Sequence, residues 1–312
     1  MTRASLLEDG GSAAAASAEF FRSPRFLAAE GVTHSLVIEG QGWVERLPVI
    51  VRPIEGTDHL DAISPYGYPG ASDPPEDPPA PERVDWSATG LVSLFVRDRV
   101  GDAVCLGGGT ERARVHLADP GAESGVRKRL REQIRRNQRR GWAVEVTPGP
   151  EASEGERGAF AGAYTETMAR AGAARRYFFD RAYFDSVLKF ERTWLLLAHR
   201  EREEPSAGAI AAAGDGLLHY FLGGTGERAL ADSPMKNLFA AMIELSAELG
   251  LPLNLGGGVE PGDSLDEFKR GFANAEASFR THEVVCDPGA FAELCERAAP
   301  APEGFFPPYR AV

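Results

Sequence analysis

The chain has 312 residues, of which 43% are apolar and 26% charged, and it carries a formal net charge of −12. Those proportions suit a globular protein with room for two domains, and the acidity argues against nonspecific nucleic-acid binding, which needs a broadly basic surface. No apolar run approaches the length of a membrane span, the interrupted opening MTRASLLEDGGSAAAASAEF does not read as a signal peptide, and Cys105, Cys286 and Cys295 form no CxxC pair. The expectation is a cytoplasmic protein with neither disulfide framework nor metal site.

In chain order, the first eighteen residues read as a low-complexity, frayed end. A short helix over 18–29 precedes strands over 34–39, 44–54, 89–98 and 113–117, recognised by apolar alternation. Between them the stretch ASDPPEDPPAPER, residues 71–83, holds five prolines, which remove donors and fix φ, so a solvated loop is expected. A basic helix over 125–141 leads into a strand over 142–147 and a polar connector. Helices over 156–171 and within 177–190 follow, then strands over 193–199, 207–214 and 217–222. A helix over 234–249 stops at Gly250, a residue suited to a left-handed cap. A strand over 251–255, a helix over 265–272, a strand over 278–285 and a helix over 291–298 complete a mixed α/β pattern with mostly antiparallel sheets flanked by helices.

Chemistry concentrates in three places. From Arg127 to Arg140 the basic helix has eight basic residues against one acidic, Glu132, while Val126, Leu130 and Ile134 form a narrow apolar stripe. Like charges at i, i+4 destabilise a helix. An acidic chain that tolerates them, and chooses Arg over Lys, points to phosphate contact through bidentate guanidinium forks. Arg135, Arg136, Arg139 and Arg140 are the principal candidates, with Arg175 and Arg176 as a second basic pair. The second place is Ser233-Pro234-Met235-Lys236, where Ser233 reads as an N-cap and Lys236 adds positive charge to a helix start that already attracts anions. The third is DEFKRGF, residues 266–272, with Phe268 and Phe272 on one helical face and Lys269 beside them. Glycine runs at 107–109, 223–224 and 256–258 match neither a P-loop nor a dinucleotide fingerprint, and no nucleophile elbow is present. The chemistry is therefore expected to rest on positioning and electrostatics.

The segments RRNQRRGWAV, YTETMARAGAARRYFFDRAYF, HYFLGGT, SPMKNL and LGGG…SLDEFKRGF resemble the FemABX family of peptide-bridge-forming aminoacyltransferases, relatives of the GNAT acyltransferases. The likeness covers residues 125–279, and SPYGYPG at 64–70 adds a similar turn. It implies two tandem GNAT-like domains, 1–118 with 287–312 and 119–286, an acceptor cleft between them, and aminoacyl-tRNA as donor. It also implies that Phe268 and Lys269 meet the tRNA acceptor end and the tetrahedral intermediate; Lys236, from its place at the helix start, is the candidate to assist. Tyr66, Tyr68, Tyr220 and Asp263 would line the acceptor cleft, and Asp263, Asp266 or Glu267, or a phosphate of the acceptor, could take the amine proton. The chain departs from the pattern in lacking a long coiled-coil arm and the Q/RxxGxG/A loop that binds coenzyme A.

The expected activity is amide-bond formation between an aminoacyl group and the amine of a peptide-like acceptor, such as a cell-wall precursor or a peptide metabolite, without a resident cofactor. The alternatives are an acyl-CoA-dependent N-acyltransferase, with a coenzyme A thioester as donor, and a non-catalytic tRNA- or phospholigand-binding protein.

Overall fold

The structure is a computed structural model that describes residues 1–101, 103–111, 114–201, 203–258 and 262–311. The chain divides into two compact units. Met1–Ser17, Phe21–Arg112 and Ser278–Val312 form the first, and Ala18–Phe20 with Ala113–Ala277 form the second.

The first unit begins with β1 (Thr2–Leu7), α1 (Pro24–Ala29), β2 (His34–Gly40), β3 (Trp43–Pro53) and β4 (Leu60–Ile63), then β5 (Val84–Asp85), β6 (Leu91–Arg97) and β7 (Thr110–Glu111). The second contains β8 (Val115–Ala118), α2 (Lys128–Arg139), β9 (Trp142–Pro148), α3 (Glu154–Arg170), α4 (Arg181–Leu188), β10 (Thr193–Arg200), β11 (Ala207–Gly214) and β12 (Leu217–Thr225). It closes with α5 (Met235–Leu249), β13 (Leu253–Gly256), α6 (Ser264–Arg270) and β14 (Ala275–Ala277), after which β15 (Arg280–Val285) and α7 (Pro288–Arg297) return to the first unit.

The first sheet runs β5-β1-β2-β3-β4-β6-β15-β7 and the second β14-β8-β13-β12-β11-β10-β9. Most neighbours are antiparallel, as expected; β1/β5, β4/β6 and β12/β13 are the parallel pairs. In the first sheet, period-two alternation buries Leu36 and Ile38 of β2, Leu47 and Val49 of β3, and Leu94 and Val96 of β6 in one cluster. In the second, β11 is buried along its whole length. Ala207, Ala209, Ala211 and Ala213 face the helix α5 cluster of Leu238, Phe239 and Met242, whereas Gly208 on the other side meets Phe160 of α3. Small residues on β11 thus let a helix approach closely on each face.

Three expectations change. Residues 2–7 are not frayed: β1 pairs with β2 over five positions and with β5, because Ala4 finds a buried place that its short, mixed segment does not advertise. The expected domain boundaries, 118/119 and 286/287, also differ from the sheet membership. The strand over 115–118 joins the second sheet and the strand over 280–285 joins the first, between β6 and β7. Pairing across a long sequence gap decides both. Residue 113, the expected start of the former strand, lies outside the described residues. Among the described residues, no helix is long and apolar enough to cross a membrane.

Candidate active site

The second sheet opens at one point. Parallel strands β12 and β13 are in register only at Leu218↔Leu253 and His219↔Asn254, although β12 continues to Thr225. Beyond those pairs the two strands diverge, and ligand sites in such sheets form outside the carboxyl ends of parallel strands. A register shift at Ile210/Ala211 places Tyr220 opposite Ala211 and Leu222 opposite Ile210, leaving Phe221 as the extra residue. The bulge aims Tyr220 at the α5 side of the sheet, where its ring packs edge-on to Phe239 at 5.0 Å.

Lys269 enters this opening from α6. It is the buried residue of that helix, at 7% exposure, while Phe268 beside it is only partly covered. Its Nζ donates to the Gly257 carbonyl at 2.7 Å and lies 5.5 Å from the centre of the Tyr220 ring. Burial pulls its pKa down from the ordinary lysine value to about 8, against the opposing pull of Asp263 and Asp266. Glycine at 256 permits the approach: its φ is +75°, and an added Cβ would lie 3.1 Å from Nζ. The turn is held by a buried relay. The Gly256 N–H donates to Asn254 Oδ1 at 2.8 Å, Asn254 Nδ2 donates to His219 Nδ1 at 3.1 Å, and His219 Nε2 donates to Gly214 O at 3.3 Å. Burial holds His219 down at about 4, so the imidazole is neutral and this tautomer persists.

Phe268 stacks into an aromatic group with Phe239 and Phe272 at 5.3 and 5.4 Å, contiguous with Tyr220 through Phe239. The structure thus brings Lys269, Phe268, Tyr220 and Asp263 of the expected set together. The carboxylates considered as bases are all engaged. Asp263 caps α6 by accepting from Asp266 N at 2.7 Å, Asp266 Oδ1 meets His116 Nε2 at 2.8 Å, and Glu267 pairs with Arg270 and, at 3.7 Å, with Arg127. The His116–Asp266 pair escaped the sequence reading because 150 residues separate its members. Asn254 and His219 escaped it as well, being ordinary strand residues until the sheet places them.

A positive cluster forms where α2 packs on the start of α5. Val126, Leu130 and Ile134 face the core as the stripe predicts. Asn137 Nδ2 donates to Asn237 Oδ1 at 2.8 Å and to Asp232 O at 2.9 Å, fixing the two helices together. Half-buried Lys236 has its pKa lowered by desolvation and then by Arg136 and Arg129, with Asp232 opposing. Arg135, Arg136 and Arg139 are exposed, with no ion pair among the described residues. Arg140 is different: it binds Asp232 at 2.7 Å, and Asp232 also accepts from Trp142 Nε1 at 3.0 Å. It serves as a structural tie rather than an open phosphate contact.

Two expectations are corrected here. Ser233 is not the N-cap of α5: its φ is +49°, Pro234 occupies the cap position, and no side-chain cap is formed. Its N–H donates back to Ala229 and Leu230 carbonyls, so a tight turn takes the place of the expected extended cap. Arg175 and Arg176 do not join the basic helix. They lie between α3 and α4 on the opposite face of the sheet, with Arg176 stacked on Tyr177 at 5.0 Å. Tyr66 and Tyr68 belong to the first unit. Tyr66 N donates to Glu30 Oε2 at 2.9 Å, and the Tyr68 ring packs edge-on to Phe21 and Phe279 at 5.6 and 5.1 Å. Two hollows of about 290 and 190 Å³ in the second unit are lined, respectively, by His116, Arg270 and Asn274 and by Val126 with Phe272, and Lys269 lines neither.

Residues 124–270 match the family described as an acetyltransferase (GNAT) domain. Among solved structures the chain resembles FemX, with a TM-score of 0.56 at 13% identity over 83% of this chain and 89% of that one. It also resembles L-PGS from Bacillus licheniformis, with a TM-score of 0.55 at 12% identity over 85% and 87%. A third is the C-terminal DUF2156 domain of a proposed lysylphosphatidylglycerol synthetase from Agrobacterium fabrum, at 0.51, 13%, 86% and 88%. The comparison with curated proteins found no match. The fold is that of a GNAT acyltransferase, carried by the second unit. The fold of the chain is similar to those of FemX and L-PGS.

Proposed function

We propose that the protein transfers an aminoacyl group from aminoacyl-tRNA to the amine of a peptide-like acceptor. The observation that carries this reading is Lys269, a buried ammonium presented at the divergence of β12 and β13 beside Tyr220. An aminoacyl ester is already activated, so the enzyme needs to align the amine and meet the charge that develops on the carbonyl oxygen. A lysine with a pKa of about 8 stays largely protonated at neutral pH and can donate to that oxygen. Gly257 O, to which Nζ now donates, marks the direction of the bond that a substrate oxygen would replace. The exposed arginines of α2 and Lys236 suit a polyanionic donor in an otherwise acidic chain. The solved-structure neighbours are consistent with such a donor, since one is a proposed lysylphosphatidylglycerol synthetase, named for a product that joins lysine to phosphatidylglycerol. Tyr220 and Asp263, beside Lys269 in the second unit, are the acceptor-facing residues of the same proposal.

The family description over residues 124–270 favours a second reading, an N-acyltransferase using a coenzyme A thioester. Filter retention of radiolabelled aminoacyl-tRNA at moderate salt, with excess coenzyme A in parallel, separates the two. Saturable retention that coenzyme A does not displace supports the tRNA donor. Absence of retention, with coenzyme A binding instead, rejects it.

A further inference from the structure

The first unit contains a buried cluster that the transfer reaction does not use. Alternation along the first sheet puts Glu45 in the same row as Leu47 and Val49, and His282 in the row of Val284. Asp98 follows β6 in the row of Leu94 and Val96, and the loop after it carries Cys105 over this face. Glu45 and Asp98 are 0% exposed, and Cys105 and His282 are 1% exposed. Asp98 is the hub. Its Oδ2 meets His282 Nε2 at 2.8 Å, its Oδ1 accepts from Cys105 N at 3.0 Å, and the Cys105 thiol is directed at the same carboxyl group. One ligand atom from each of Asp98, Cys105 and His282 lies within 4.8 Å of the others. Two further observations stand apart from that spacing: both Glu45 carboxylate oxygens and His282 Nδ1 are buried without a hydrogen-bond partner.

Burying two carboxyls, a thiol and an imidazole costs free energy unless protons or a cation neutralise them. We infer that Asp98, Cys105 and His282 bind a divalent cation of the zinc class, with Glu45 available to complete a four-coordinate set. Thiolate, imidazole and carboxylate together suit Zn2+ among the divalent ions, and a closed set of protein ligands marks a structural site. On binding, the Cys105 thiol loses its proton to solvent and its sulfur bonds the metal. The imidazole stays neutral, offering one nitrogen to the metal and keeping its proton on the other. One thiolate and one carboxylate balance the dipositive ion, and Glu45, keeping its proton, offers its carbonyl oxygen as the fourth donor. The ion would tie the loop between β6 and β7 to the sheet and to β15, which enters from the far end of the sequence. Gly109 fits this arrangement: its φ is +78°, and a Cβ there would sit 2.6 Å from the His282 ring.

The test is to refold the full chain with Zn2+ or with a chelator, then measure retained metal by mass spectrometry and the melting temperature of each form. Retention of stoichiometric Zn2+ with a higher melting temperature is expected. Replacement by Co2+ should produce a thiolate-to-cobalt absorption band that disappears in Cys105→Ala and persists in Cys286→Ser and Cys295→Ser. Because substitutions in this core could themselves unfold the protein, the wild-type comparison decides independently. A wild-type chain that refolds equally well in both conditions and retains no metal overturns the inference. So does metal retained undiminished by a folded Cys105→Ala variant.

Discussion

At the scale of single residues, the role proposed for Lys269 sets activity and stability in opposite directions. If its ammonium meets the oxyanion, Lys269→Met lowers turnover by roughly 10²–10³. The same change removes the need to desolvate a charge, so melting of the variant at neutral pH should be unchanged or higher. Wild-type turnover in that variant would remove Lys269 from the site. The sign of the pH effect follows from the depressed pKa. Between about 8 and the ordinary lysine value of 10.5, the unfolded chain holds a proton that the folded chain has released. Lys269 therefore contributes a rise in stability with pH across that window, and its destabilising effect is complete below about 8. Turnover runs the other way, falling as pH rises through about 8. An initial-rate profile flat to pH 10 would exclude a required ammonium. The FK pair was legible in the sequence; its relative depth was not, and the lysine is the deeper residue because α6 lies against a diverging parallel pair.

At the scale of elements, α2 and α5 act as one positive surface. Changing Arg135, Arg136 and Arg139 together to Gln should weaken donor binding and flatten its salt dependence. Folding should not suffer, since these side chains are exposed and relief of like-charge i, i+4 pairs contributes about 0.2–0.5 kcal/mol each. Equilibrium binding across a salt series checks this, and an unchanged slope would return the helix to a solvated face. Arg140→Gln should behave differently, lowering the melting temperature by freeing Asp232. Both helices and the apolar stripe of α2 were readable from periodicity. The cap was not. Ser-Pro is a sound local start signal, but the 3-10 turn at Glu227–Ala229 and its bonds to Ser233 pull that residue into a left-handed conformation. Separation of Arg175 and Arg176 from α2 was equally invisible, because nothing in a linear pattern states which face of a sheet a helix covers.

At the scale of the whole molecule, the first unit is discontinuous, and its sheet depends on β15 seated between β6 and β7. A chain ending at Ala277 should lose hydrogen-exchange protection in β6 and β4 while β10, β11 and β12 keep theirs, since the second unit has its own core. Retained protection in β6 would show that β15 is dispensable. The two-unit plan and the return of the C-terminal segment followed from the family resemblance, yet the strand that makes the return was assigned to the wrong side.

By itself, the sequence determined the α/β class, the order of most helices and strands, the positive helix and the lysine beside the aromatic pair. These are local properties, set by hydrophobic period, charge density and turn chemistry over a few residues. Tertiary structure alone decided that β12 and β13 part after two residue pairs, that Asn254 and His219 hold the glycine turn, and that Asp98, Cys105 and His282 share one buried cluster beside Glu45. Those arrangements join residues dozens to hundreds of positions apart. Their energies come from burial and pairing that exist only once the sheets have formed.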